Sequence, residues 1–219
     1  MKPRWAKQRN AAMTLFEVIL VVAVLMLLAA FLLPDLARSR RRVSRINCIN
    51  NLHQVCTAFR IWEGDNNDKY PMAISVTNGG AMELVATGNV IASYLVISNE
   101  LSTPKILVCP EDSSRIVART FGDFIANSNV SYFVGVDVTN EVDSRRFLSG
   151  DGNFETGGVP VKPGLVQFLT NTPIVWADTR HHHRGNIGFA DGSVQQFNTA
   201  NLRQALQQTG LITNRLAIP

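Results

Sequence analysis

The sequence predicts an α+β fold in which a long N-terminal helix precedes, and packs on, an antiparallel β-sheet. The run from Met13 to Leu33 is apolar except for Thr14 and Glu17. As a helix it would be about 31 Å long, the thickness of a bilayer's hydrocarbon core. Apolar residues then recur three and four positions apart up to Trp62, the period of an amphipathic helix. Further along the chain, short runs of β-branched and aromatic residues indicate strands.

These patterns divide the 219 residues into four segments. Residues 1–12 form a basic leader peptide, and residues 13–33 form a transmembrane or filament-core helix. Residues 34–63 continue this helix in amphipathic form, and residues 64–219 form a globular α+β domain. Because Pro34 has no backbone N–H, we expect the helix to bend or to be lost locally there. The apolar face of the continuation is expected to contact the sheet, through Ile46, Ile49, Leu52, Val55, Cys56, Phe59 and Trp62.

The positive charge of the chain lies on both sides of the apolar run. The net charge is +4, but residues 46–219 carry 12 basic and 15 acidic residues. The predicted domain is therefore mildly acidic, and nucleic acid is not expected to be a partner. The five arginines of residues 38–45 are expected to meet lipid headgroups or acidic faces of neighbouring subunits.

Glu17 is the one charge inside the apolar run. A charged side chain in a membrane helix costs up to about 3 kcal/mol on insertion scales, so it normally has a partner. If the chain is cleaved before Met13, the new α-amino group lies one helical turn from Glu17, and a neighbouring copy's amine can neutralise the carboxylate. A secretory signal peptide is the competing interpretation, but its small-residue cleavage site follows the apolar run, whereas Ala11 and Ala12 precede it.

The residues Ala12-Met13-Thr14-Leu15-Phe16-Glu17, followed by the apolar run, resemble the N-terminal motif of type IV pilins and type II secretion pseudopilins. The sequence departs from that motif in having Ala12 where glycine is usual. The resemblance implies that prepilin peptidase cleaves between Ala12 and Met13 and that the new N-terminus is methylated. It implies that Thr14, Leu15 and Glu17 serve assembly. Implied partners are further copies, other pilin-like subunits, the inner-membrane assembly platform and the lipid bilayer.

The rest of the chain resembles a narrower group of pilin-like proteins, of the type found in Planctomycetes and Verrucomicrobia. Three segments carry this resemblance, residues 46–72, 101–112 and 131–137, as does the motif of His181, nine residues and then Asp191-Gly192. Because Cys48 and Cys109 fall in the segments that resemble the group, they are predicted to form a disulfide. Cys56 lies on the apolar face and is predicted to be core.

For the C-terminal motif we expect His181 to donate or accept a hydrogen bond at the Asp191 turn, in preference to binding a metal. Neighbouring histidines at 182 and 183 would point to opposite faces of a strand, so the three cannot share one site. A zinc site formed by the three cysteines and a histidine is an alternative. No cofactor is expected. A calcium site is a further alternative, because some pseudopilins hold calcium in a C-terminal loop. Residues 65–68 offer oxygen ligands but lack the spacing of a calcium loop.

Within the domain, short elements are predicted from composition. Residues 150–164 are expected to be an exposed loop, and Asp191-Gly192 a tight turn between strands 186–189 and 193–197. Thr199 is expected to cap a last helix over residues 200–209 that ends at Gly210. The other predictions are a helix over residues 92–100 and strands over residues 105–109, 130–138, 146–148 and 173–177.

The motifs of common hydrolases, phosphate loops and zinc proteases do not occur in the sequence, so an enzyme is not expected. The expected function is that of a structural subunit of a type IV pilus-like or type II secretion pseudopilus filament. The chain would cross the inner membrane once, with its leader in the cytoplasm and its domain in the periplasm or outside the cell. The alternative is a membrane-anchored monomeric module that binds a surface or DNA and uses the leader only for targeting.

Overall fold

The structure is a computed structural model that describes residues 14–124 and 126–219, with the side chains of all of these except residues 34–42. The chain separates into two compact units, of which the first ends at Val43 and the second spans Ser44–Pro219. It is a mixed α+β protein, with an apolar helix near the N-terminus and antiparallel sheets in the second unit.

Four α-helices are described: α1 (Leu15–Asp65), α2 (Met82–Val85), α3 (Val90–Val96) and α4 (Thr199–Gln208). The strands are β1 (Tyr132–Gly135), β2 (Phe147–Asp151), β3 (Phe154–Thr156), β4 (Val159–Pro160), β5 (Gly164–Leu169), β6 (Ile174–Trp176), β7 (Arg184–Phe189), β8 (Val194–Asn198) and β9 (Thr213–Ile218). Short 3-10 helices occupy Pro71–Ala73, Val76–Asn78, Pro104–Leu107, Phe121–Asp123 and Asn127–Asn129.

The first part of α1 is apolar on all sides. Leu15–Leu33 has a mean hydropathy of 3.0 and none of it is buried, so by length and composition it is able to cross a membrane. Thr14 caps the helix, because its Oγ1 accepts a hydrogen bond of 3.3 Å from the backbone N–H of Glu17. The backbone is helical through Pro34, so the local loss of helix is not observed there, and a bend remains a prediction.

The later part of α1 buries one face, as its apolar period predicts. Cys48, Leu52, Val55, Cys56 and Phe59 are fully buried. They share a core with sheet residues that include Tyr132, Val134 and Leu148. Ile46 is half exposed, so the buried face begins at Cys48 and not two residues earlier.

The larger sheet has six strands in the order β5-β9-β1-β2-β7-β8, and β4-β3-β6 form a smaller sheet. Among the described residues all the strand pairs are antiparallel. Successive residues of β1 face opposite sides, as the pleat requires. Tyr132 and Val134 contact the core beneath α1, whereas Phe133 joins a second core with Trp176, which α4 completes through Leu202 and Leu206.

Several sequence predictions for the domain are wrong. Residues 105–109, predicted as a strand, begin within a 3-10 helix, because Pro104 starts that helix and the Thr103 side chain accepts from the Lys105 N–H. Residues 150–164 are not an exposed loop: they contain β3, β4 and the last residues of β2, and Asp151 and Phe154 are buried.

The predicted boundaries of two helices also shift. The cap of α4 is Asn198 and not Thr199, because the Asn198 side chain accepts from the Asn201 N–H at 2.9 Å. The helix expected over residues 92–100 is α3, which begins and ends earlier. Gly210, with φ of +75°, follows α4 as predicted.

We predict that Gly188→Ala destabilises the protein by about 1–3 kcal/mol, the usual cost of overpacking a filled core. A methyl group at Gly188 would overlap the Sγ atom of Cys56, so α1 would have to move away from β7. Gly64→Ala is the control, because no atom lies within 4 Å of its added carbon and its φ is not positive. Urea unfolding of the full chain in detergent, followed by tryptophan fluorescence, measures both variants. Equal midpoints for the two would contradict this packing.

Candidate functional site: a buried cluster of cysteine, histidine and carboxylate

Four buried side chains from distant parts of the chain converge on one point. They are Cys48 of α1, Cys109 two residues after a 3-10 helix, Asp151 at the end of β2 and His181 in the turn before β7. One sulfur, nitrogen or oxygen atom from each lies within 4.8 Å of the others. These atom types are the ones that bind transition metals in proteins.

Cys48 and Cys109 form a disulfide, with their Cα atoms 5.2 Å apart and the two residues 61 positions apart in sequence. This is the pairing that the resemblance implied. In the chain-entropy model, closing a loop of this length stabilises the fold by about 4 kcal/mol. The third cysteine, Cys56, is unpaired and buried. Burial and the nearby Asp191 carboxylate raise the pKa of its thiol to about 12, so it stays protonated and unreactive.

His181 faces the disulfide and not the turn after β7. Its Nε2 lies 3.3 Å from Cys109 Sγ and 3.5 Å from Asp151 Oδ2. Its Nδ1 lies 2.9 Å from Glu111 Oε2 but makes no hydrogen bond there, whereas its backbone N–H donates to the same oxygen at 3.0 Å. Each ring nitrogen therefore has a carboxylate beside it.

The predicted contact between His181 and the Asp191 turn is wrong. The two residues flank opposite ends of β7, and six extended residues at about 3.3 Å each separate those ends by roughly 20 Å. The Asp191 side chain instead accepts from the Ser193 backbone N–H at 2.9 Å, and Gly192 takes a φ of +82° in the turn between β7 and β8. The predicted hairpin is present, but His181 lies before β7 and Asp191-Gly192 lie after it, so the two parts of the motif do not contact each other.

The three histidines lie in a turn and not in the strand that the sequence predicts. His181, His182 and His183 all have left-handed backbone, with φ of 54°, 50° and 57°. Such conformations cost of order 1 kcal/mol each for residues other than glycine and persist where the surroundings enforce them. His182 and His183 are exposed beside Asp178, so His181 alone of the three enters the buried cluster.

Hydrogen bonds and one buried cation fix the carboxylate of Asp151. Its Oδ2 accepts from the backbone N–H and the side-chain amide of Asn186, at 2.8 and 2.9 Å. Its Oδ1 faces Cys48 Sγ at 3.8 Å and Arg180 Nη1 at 3.9 Å. The guanidinium also lies 3.0 Å from Asp112 Oδ2 and donates to the Ser131 carbonyl oxygen. Arg180 therefore neutralises charge on two buried carboxylates.

Asp112 is the second of these carboxylates. Burial by itself would raise its pKa, but Arg180, the hydroxyls of Ser114 and Ser131, and Arg115 outweigh burial, and the pKa is lowered. Beside it, burial and the charge of Asp151 raise the pKa of Tyr132 well above its usual value. The Tyr132 hydroxyl, 3.3 Å from Cys48 Sγ, therefore stays protonated.

The residues predicted for filament assembly lie elsewhere. Thr14, Leu15 and Glu17 are exposed at the start of α1, and Ala12 and Met13 lie outside the described residues. Asp151, Glu111 and Arg180 belong to no motif that assigns them to a site from the sequence. Arg180 adjoins His181, and Glu111 is two residues after Cys109. This closeness in sequence to predicted site residues is the signal that points to Arg180 and Glu111.

Comparisons with protein-family models, with curated proteins and with solved structures found no match to this chain.

We predict that Asp112→Asn lowers the free energy of unfolding at pH 7 by about 3 kcal/mol, because Arg180 loses a buried counter-charge. Since the pKa of Asp112 is lower in the folded chain, its carboxylate stabilises the fold above the unfolded value of about 3.9. That stabilisation is lost as pH falls through the folded pKa. The variant should therefore lose less stability than the parent between about pH 5 and pH 3.

Chemical unfolding of the full chain in detergent at a series of pH values measures this difference. Asp68→Asn is the control, because Asp68 is exposed and should leave the pH dependence unchanged. Parallel curves for the parent and Asp112→Asn would mean that the carboxylate is not stabilised as described.

Proposed function

We propose that this protein is a pilin-like structural subunit, held in a membrane by the first part of α1 and assembled through that helix into a filament. The observation that carries the proposal is the complete exposure of Leu15–Leu33, an apolar stretch of 19 residues. Within this stretch Leu15 is 79% exposed and Phe31 is 72% exposed. A helix that is apolar on all sides requires lipid or other helices around it.

The ends of α1 differ in how their apolar surface is covered. From Cys48 onward the helix buries its apolar face against strands of its own chain, so that part needs no partner. Leu15–Leu33 has no such cover among the described residues. Lipid supplies it before assembly, and the same helix of neighbouring copies supplies it in a filament.

Glu17 places one charge near the start of the helix, and in a filament this charge would set the offset between adjacent helices. It lies in the first turn of α1, where the helix dipole favours a negative charge, and the Thr14 cap holds that turn. In an apolar surrounding the carboxylate needs a cation. The α-amino group of a neighbour cleaved before Met13 is the cation that the resemblance to pilins implies, and it would set adjacent helices at a fixed offset.

The Cys48–Cys109 disulfide supports export of the domain. Disulfides persist in the periplasm and outside the cell, whereas cytosolic thiols are kept reduced. An N-terminal apolar helix followed by a disulfide-bonded domain fits a single pass through the inner membrane with the leader in the cytoplasm. The arginines of residues 38–45 would then meet headgroups on the far side of the bilayer.

We predict that Glu17→Ala abolishes filaments and leaves the protein in the membrane, because the apolar span is intact and only the charge partner is lost. Electron microscopy of sheared surface fractions and sedimentation of membranes measure the two effects. Glu155→Ala, a carboxylate removed from β3 of the domain, is the control and should assemble normally. Normal filaments from Glu17→Ala would refute assembly through this charge and favour the anchored monomeric binding module.

We predict that the mature chain begins at Met13 and is heavier by one methyl group when prepilin peptidase is present. Mass spectrometry of membrane fractions with and without the peptidase measures the N-terminus. Ala12→Gly should be processed at least as completely as the parent, and Ala12→Leu should remain uncut. A parent chain that begins at Met1 in the presence of the peptidase would exclude the pilin pathway.

A further inference from the structure

We propose that the buried cluster of Cys48, Cys109, His181 and Asp151 binds a zinc ion when its disulfide is reduced. The inference is independent of the filament proposal, because it rests on the interior of residues 44–219 and not on the exposed part of α1. Two thiolates, an imidazole and a carboxylate are a ligand set that zinc accepts with tetrahedral geometry.

The distances between the ligand atoms suit such a centre. Zinc bonds of about 2.3 Å to sulfur and about 2.0 Å to nitrogen or oxygen place tetrahedral ligands roughly 3.3 to 3.8 Å apart. Cys109 Sγ and His181 Nε2 are 3.3 Å apart, and His181 Nε2 and Asp151 Oδ2 are 3.5 Å apart. Cys48 Sγ is 3.8 Å from the other oxygen of the Asp151 carboxylate, Oδ1. The two sulfur atoms must separate, and reduction removes the bond that joins them.

The outer partners are those that orient metal ligands in proteins. Ligating histidines commonly present their second nitrogen to a carboxylate, and Glu111 Oε2 lies 2.9 Å from Nδ1 of His181. Ligating carboxylates are themselves hydrogen-bonded, and Asn186 holds Asp151 with two donors. His181 has left-handed backbone, and its ring lies in the cluster.

The charges of the metal-bound state balance inside the protein. Two thiolates, Asp151 and Asp112 carry four negative charges, and zinc, Arg180 and Arg115 supply four positive charges. Arg180 and Asn186 account for the burial of the Asp151 carboxylate. A neutral disulfide gives no reason for an imidazole beside it, and burying that ring costs desolvation energy. A bound cation gives the imidazole a role.

The step balances in atoms and electrons. A dithiol reductant transfers two electrons and two protons to the Cys48–Cys109 bond, which breaks to give two thiols while the reductant becomes a disulfide. Zinc then displaces the two thiol protons, which leave to solvent, and four bonds to protein atoms form. The disulfide and the zinc centre thus tie α1 to the same segments in two redox states.

The test uses the full chain in detergent, with zinc or cobalt alone as the probe. After reduction and removal of the reductant under anaerobic conditions, we expect binding of one zinc per chain in competition with a chromophoric chelator. Cobalt should give the visible and thiolate charge-transfer absorption of a tetrahedral centre with two sulfurs. The oxidised chain should bind neither. A folded, reduced chain that binds no zinc would overturn the proposal.

Variants separate the ligands from their neighbours. His181→Gln should abolish the cobalt spectrum, and Glu111→Gln should weaken zinc binding by about 10- to 100-fold while keeping that spectrum. His182→Gln and Cys56→Ala are the controls, since one is the exposed neighbouring histidine and the other the unpaired cysteine. An unchanged spectrum in His181→Gln would refute the assignment.

Folding of the reduced chain supplies a second measurement. If the reduced parent unfolds, recovery of native circular dichroism on adding zinc supports the site, because metal binding then drives folding. Failure of zinc to restore the fold, or to raise the unfolding temperature of a reduced chain that stays folded, counts against it.

Discussion

The contact between the later part of α1 and the six-stranded sheet is the constraint on which the rest of the domain depends. Leu52, Val55 and Phe59 are fully buried there, and each such side chain contributes about 1.5–3 kcal/mol through its removal from water. The close approach is possible because Gly188 of β7 leaves room for Cys56. Both cores are arranged about this sheet, since β1 sends alternate side chains to its two faces.

Polar residues gather where α1 enters this contact. Among the α1 residues whose side chains are described, Cys48 is the first that is fully buried. It forms the disulfide with Cys109, His181 and Asp151 lie beside it, and Arg180 neutralises charge on Asp151 and Asp112. Buried charges of this kind add little stability compared with apolar packing, but removing one partner is costly because the other is left uncompensated. The buried charges therefore specify which segments meet at this point more than they stabilise the contact, whereas the disulfide stabilises it.

The sequence predicted the helix and the turn that short local patterns specify. The composition of residues 13–33 and the apolar period up to Trp62 predicted α1, and Asp191-Gly192 predicted the turn between β7 and β8. β5 and β9 were not predicted. Their pairing joins Gly164 to Ile218, and both strands carry polar side chains that hide the alternation. Residues distant in the chain specify such pairs, which no short window contains.

The candidate site was predicted only in part, for the same reason. The cysteine pairing followed from a resemblance, whereas the partners of His181 come from separate turns and strands that meet only in the fold. Asp151 lies in a glycine-rich segment whose composition favours a loop, and yet β2 extends into it. The chemistry of each residue was visible in the sequence, but their convergence was not.

The disulfide also determines how the protein would respond to mechanical tension. If the chain is pulled between its membrane segment and its C-terminus, force that arrives along α1 passes from Cys48 to Cys109 through a covalent bond. The 60 residues between them carry no load and cannot be drawn out, so the unfolded chain is shorter by roughly 200 Å. Much of the helix that packs on the sheet belongs to this shielded loop. An oxidised subunit is therefore far less extensible than a reduced one.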